Sequence, residues 1–152
     1  MLKYIAIGVV LLVGGVLIAA AMRPDSFRVQ RSAQIKATPD KIFPLINDLH
    51  RFNSWNPFAR KDPNLKRSYS GPGSGKGAAY AFDGNSNVGK GSHKVDFVLQ
   101  AKGESTEVTW AMQGAVPYFA KIIHLFIDMD RMVGTEFEAG LASLKAIAEK
   151  TP

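Results

Sequence analysis

The apolar and polar positions of this chain divide it in two. From Tyr4 to Met22 no side chain is charged, and Lys3 and Arg23 bracket the run. At about 1.5 Å per residue such a helix reaches about 28 Å, close to the roughly 30 Å hydrocarbon core of a bilayer. Gly8, Gly14 and Gly15 are compatible with that reading, because glycine is common in membrane helices. A cleaved signal peptide is the rival. Lys3 would be its charged region, Ile5 to Ile18 its apolar core and Ala19-Ala20-Ala21 its cleavage site. We expect a retained anchor over residues 1–23, followed by one domain over 24–152.

Past Pro24-Asp25 the pattern changes period. Phe27, Val29, Arg31, Ala33 and Ile35 alternate with Arg28, Gln30, Ser32, Gln34 and Lys36, which predicts a strand. Thr38-Pro39-Asp40 is a helix start, with a hydroxyl at the N-cap, proline at N1 and an acid in the first turn. Ile42, Phe43, Leu45, Ile46 and Leu49 form that helix's apolar face, and Pro44 inside it predicts a kink or a late start. The segment Phe52 to Phe58, with Trp55-Asn56-Pro57, is expected to be an irregular turn. Strands follow at Lys66 to Tyr69, Ala78 to Asp83, His93 to Gln100 and Thr106 to Gln113. Lys102-Gly103-Glu104-Ser105 joins the last two as a hairpin turn. Tyr118 to Ile127 is apolar almost all round. Val133, Phe137, Leu141, Leu144 and Ile147 or Ala148 keep one helix face apolar to the end, with a break expected at Gly134. The order implies an α+β fold, an antiparallel sheet with a long C-terminal helix laid across one face.

The domain that remains after the apolar run is long enough to bury a core without cross-links. The chain has no cysteine, which excludes disulfides, thiolate metal sites and cysteine nucleophiles. Its formal net charge is +6. Arg51, Arg60, Lys61, Lys66, Arg67, Lys76, Lys90 and Lys94 fall in one stretch relieved only by Asp62 and Asp83. On a tethered domain, lipid headgroups are the nearest anion for such a face; a solvated basic surface is the alternative. No nucleic-acid motif accompanies the charge, so no nucleic-acid partner is expected. Arg23, Arg28, Arg31 and Lys36 outnumber the charges before the helix, which leans toward a cytoplasmic domain on a bacterial-type inner membrane. Gly15 and Ala19 form a single small-xxx-small pair, too little to argue dimerisation of the helix.

Little in the chain announces catalysis. Gly71 to Gly77 invites comparison with a phosphate-binding loop, but its glycine spacing is one short and Gly77 stands where Ser or Thr must hold magnesium. A strand-connecting turn is the better reading. His50, His93 and His124 have no metal-ligand spacing. Asp128 and Asp130 fit helix caps, and no serine sits in a nucleophile elbow. No cofactor and no metal are expected. What stands out is aromatic and sulfur content. Trp55, Phe58, Tyr80, Phe82, Trp110, Met112, Tyr118, Phe119, Ile122, Phe126 and Phe137 are the expected lining of an apolar pocket, with Met129 and Met132 beside them. An ordinary packed core is the alternative for each.

The chain resembles the SRPBCC, or START-like, superfamily in its polyketide cyclase/dehydrase-like branch. The match runs through Phe27-Arg28-Val29 to Ala37-Thr38-Pro39, Ile42-Phe43 to Asn47-Asp48 and Trp55-Asn56-Pro57. It continues through Gly75 to Gly77, Tyr80, Asp83-Gly84-Asn85 and Val88 to Gly91, and closes with Thr106 to Gly114, Pro117-Tyr118-Phe119, Met129 to Met132 and Phe137 to Lys145. The resemblance implies a helix-grip fold, the sheet wrapped on the last helix, and a cavity for a lipid or other hydrophobic small molecule. Only some members of the superfamily are enzymes. Here Gly91 runs through Ser92 directly into a later strand, so about two strands of the family pattern are missing. The shortened sheet is expected to lose part of its grip on the last helix and to expose a strand edge or apolar surface. A non-catalytic, membrane-anchored binding domain is the leading expectation. A cyclase or dehydratase using Asp83, His124 or Asp128 as acid/base is the second, and an interaction module with a collapsed pocket the third.

Overall fold

A computed structural model of the chain describes residues 1–61, 66–73, 79–83 and 93–150, of which 60–61, 66–70, 79–83 and 93 are described by backbone alone. The apolar run forms α1 (Leu2–Ala21), a helix long and apolar enough to cross a membrane. Its 20 residues correspond to about 30 Å.

Strand β1 (Ser26–Ile35) carries the predicted alternation, with Val29 and Ile35 buried. Proline at N1 opens α2 (Pro39–Asn47), but the Thr38 hydroxyl makes no capping hydrogen bond. The expected irregular turn at 52–58 is instead two short helices, α3 (Leu49–Trp55) and α4 (Pro57–Lys61). Polar side chains explain the breaks. Asp48 leaves helical geometry at ψ 113°, and its carboxylate accepts from the backbone N–H of His50 and Arg51. Asn56, forced extended by the proline that follows, accepts from the N–H of Phe58 at 3.1 Å.

The strands fall into two sheets. β2 (Lys66–Ser70) and β3 (Ala79–Asp83) pair antiparallel; residues 74–78 of the glycine-rich stretch expected to turn between them lie outside the described residues. β4 (His93–Lys102) and β5 (Ser105–Ala115) form a hairpin whose Gly103 has φ 64°, a left-handed conformation that a side chain would strain. With β1 they make a three-stranded antiparallel sheet in the order β1-β5-β4. No described strand bonds the outer edge of β4, and Val95 and Val98 on it are exposed. Residues 84–92, where two strands of the resembled family were expected to be missing, lie outside the described residues.

Tyr118–Ile123 forms α5, and Met129–Ala148 forms α6. Asp128 caps α6, its carboxylate accepting from the Arg131 N–H at 3.0 Å. Helix α6 lies on the sheet face that carries Val29, Val108 and Trp110, and it contributes Val133, Phe137, Leu141, Leu144 and Ala148 to the core. The helix is not broken at Gly134. The glycine is there because the Arg31 guanidinium crosses the helix at that point, where a Cβ would overlap it.

Three polar connections bind α6 to β1. Arg31, on the core-facing phase of β1, makes paired hydrogen bonds to the Asp130 carboxylate at 3.1 and 2.8 Å, and one to Glu138 at 2.8 Å. Near the other end Lys145 donates to the Gln34 carbonyl at 2.6 Å, and Glu149 accepts from the Lys36 N–H at 2.8 Å. These hydrogen bonds hold the Arg31 pKa above its ordinary value and those of Asp130 and Glu149 below theirs. The molecule is thus an α+β domain whose C-terminal helix is laid on a three-stranded sheet.

Candidate functional site

The residues expected to line one pocket separate into three groups. Trp55, Trp110 and Phe137 are fully buried and packed on one another. Trp110 stacks on Phe137 at 4.2 Å between ring centres with an 8° tilt, and Trp55 meets Trp110 edge-on at 5.6 Å. Phe58 sets its ring edge against both Trp110 and Phe137, and Met112 packs against the same cluster. Phe52 and Phe97, which the sequence reading passed over, complete it at 4.9 Å from Trp55 and 5.1 Å from Trp110. Strand phase could have found Phe97, since it pairs across from Trp110 on the same face. These rings pack on one another between sheet and helix. The Trp55 indole N–H donates to the Leu45 carbonyl at 2.8 Å. The Trp110 N–H, buried, has no acceptor among the described residues.

Tyr80 and Phe82 lie on β3, opposite Tyr69 and Arg67; their side chains are outside the described residues.

Tyr118, Phe119, Ile122 and Phe126 form the third group, on and just after α5, and the structure does not seat them in the cluster. Phe119 is 73% exposed and Phe126 76%, and only Ile122 and the ring of Tyr118 are partly covered. What positions α5 is the exit of α1. Tyr118 donates its hydroxyl to the Leu17 carbonyl at 2.8 Å. The Lys121 ammonium, 7% exposed, pairs with the Asp25 carboxylate. The Val116 N–H donates to the Asp25 carbonyl at 2.7 Å.

Between these contacts opens a cavity of about 220 Å³. Its apolar wall is Phe27, Val29, Val116 and Met129; its polar rim is Arg23, Ser26, Arg28, Lys121, His124 and Asp130. Beyond Lys121, which Asp25 neutralises, the rim carries the cations Arg23 and Arg28, and its one acid, Asp130, is held by Arg31. Met129 and Asp130, in the first turn of α6, border the cavity. A cavity of about 430 Å³ at the other end of the sheet is lined by Lys36, Lys41, Glu104, Glu149 and backbone-rich neighbours. Its wall carries more polar surface than that of the smaller cavity, and Glu149 there is engaged by Lys36 and Lys145. Of the candidates for acid–base work, Asp128 is spent as the cap of α6, His124 sits on the rim of the smaller cavity, and the Asp83 side chain is outside the described residues.

Fold and site together define an α+β domain joined to a helix of membrane-spanning length, with a cation-rimmed cavity where the two meet. Compared with protein-family models and with curated proteins, the chain matches none.

Proposed function

We propose that this protein is a membrane-anchored, START-like binding domain that takes an anionic amphiphile at the junction of anchor and domain and performs no catalysis on it. The observation that carries the reading is the cavity itself: apolar on one wall, cationic on its rim, and directly at the exit of α1. Its volume suits a headgroup with part of a chain rather than a whole lipid, since pockets for drug-sized ligands run from about 300 Å³ upward. The order of elements, strand then helices then antiparallel strands then a long last helix, supports membership of the START-like superfamily. The anchor supplies a ligand source, because an amphiphile partitioned in the bilayer reaches the rim without crossing water.

The packed cluster around Trp110 favours a second reading, an interaction module whose sheet–helix cavity has closed. One experiment separates the two. The full chain, purified in mild detergent, is examined by native mass spectrometry and by thermal unfolding with added lysophosphatidylglycerol or lysophosphatidylcholine. Saturation at about 100 times Kd stabilises by about 2.7 kcal/mol, a rise in Tm of about 5–10 °C. We expect that rise with the anionic lysolipid alone, and its loss in an Arg23→Gln/Arg28→Gln double variant. A protein that carries no ligand and gains nothing from either lipid is the interaction module.

A further inference from the structure

We infer that α5 and the turn after it are an interfacial membrane contact, inserted in the same leaflet from which α1 emerges. The inference rests on the anchoring of α1 but not on any ligand in the cavity. Leu17 lies four residues before the end of α1, so its carbonyl is about 6 Å inside that end. The Tyr118 hydroxyl is bonded to that carbonyl. If α1 crosses a bilayer, the start of α5 is therefore at the depth where interfacial helices sit, roughly 5–10 Å into the headgroup and acyl boundary.

The surface that α5 presents there fits that depth. Tyr118, Phe119, Ile123, Phe126, Ile127 and Met132 are all exposed large apolar residues, grouped within fifteen positions. In water this group would be an unusual apolar patch on a small domain. Beside a spanning helix it continues the helix's own apolar surface. Tyrosine is suited to the interface, and Arg23, just past the end of α1, and Arg131, next to Met132, are both exposed to meet headgroup phosphates. The polar side of α5 is turned inward: Lys121 is buried and neutralised by Asp25, so no charge enters the acyl region from that helix. The sheet agrees with this seating. Ser26, five residues after the end of α1, shares one end of the three strands with Ala115 and His93, and the Gly103 turn stands at the other. Along β5 the two ends are about 33 Å apart.

The chain has no cysteine, so a single one can be labelled. Phe119→Cys and Glu104→Cys full-length variants, each carrying an environment-sensitive NBD dye, are reconstituted in phosphatidylcholine/phosphatidylglycerol vesicles. Flotation with the vesicles after alkaline washing reports the anchor separately. We expect the dye at position 119 to be blue-shifted and quenched by lipids brominated near the headgroup, while the dye at 104 is neither. Emission at 119 matching that at 104, in vesicles that still float, overturns the inference and leaves the anchor standing. A blue shift that bromolipids do not quench, and that grows with protein-to-lipid ratio, overturns it in favour of a second copy covering the patch.

Discussion

Gly140→Ala sets two known effects against each other. In an exposed helix the change is favourable by about 1 kcal/mol, because alanine has the higher helix propensity. Here α6 crosses the aromatic cluster at Gly140, and a Cβ would stand 2.6 Å from Cζ3 of Trp110 and 3.0 Å from Cδ of Pro57. Neither neighbour can give way cheaply. The Trp110 ring is clamped between Phe137 at 4.2 Å and Phe97 at 5.1 Å, and Pro57 is fixed at the start of α4. Overpacking a well-filled core costs about 1–3 kcal/mol, and a rigid ring on one side with a proline on the other places this site near the top. After subtraction of the propensity gain, the expected net loss is about 2 kcal/mol, or roughly 4–8 °C in Tm. The assay is thermal unfolding of the full chain in detergent, followed by near-ultraviolet circular dichroism of the tryptophans. Gly134→Ala is the comparison. Its added methyl meets the Arg31 guanidinium, which is flexible but can move only by giving up exposed ion pairs with Asp130 and Glu138, so the loss should be smaller than at Gly140. A Gly140→Ala protein as stable as the parent, or a Gly134→Ala protein less stable than the Gly140→Ala protein, would refute the reasoning.

Two further outcomes are expected. The Asp130 carboxyl is held below its ordinary value of 3.8, chiefly by its hydrogen bonds to Arg31. A lowered folded-state value means that the bridge stabilises above about pH 4 and is lost as pH falls through the folded value. Asp130→Asn should therefore lower Tm at pH 7 and flatten its decline between pH 4 and pH 2, which a pH series of melting curves will read; an unchanged slope would contradict the pairing. The bridge is largely solvent-exposed, so the effect should shrink in high salt. For α1, the chain should remain in the membrane fraction after carbonate extraction and keep its N-terminus; a mature protein beginning at Met22 would mean a cleaved signal.

The α+β order, the strand phases and the apolar face of α6 were legible in the residues because burial repeats with the period of the backbone. Val29 and Ile35 on β1, Val108 and Trp110 on β5, and Phe137, Leu141 and Leu144 on α6 all fall on the buried side that their spacing predicts. The membrane-length helix was legible for a simpler reason, since length and the absence of charge are properties of the chain alone. Gly134 was misjudged as a break, and it took the packed structure to explain it: the space it leaves is filled by Arg31, which lies 103 positions earlier. The same limit governed the pocket residues. Composition could show that the chain was rich in aromatic side chains, but not that Trp55, Trp110 and Phe137 would fill their space with one another while Phe119 and Phe126 faced outward. That division depends on which elements meet. Local pattern determined which face of each element is apolar; only the tertiary structure decided whether that face met a core, a cavity or the surface beside the anchor.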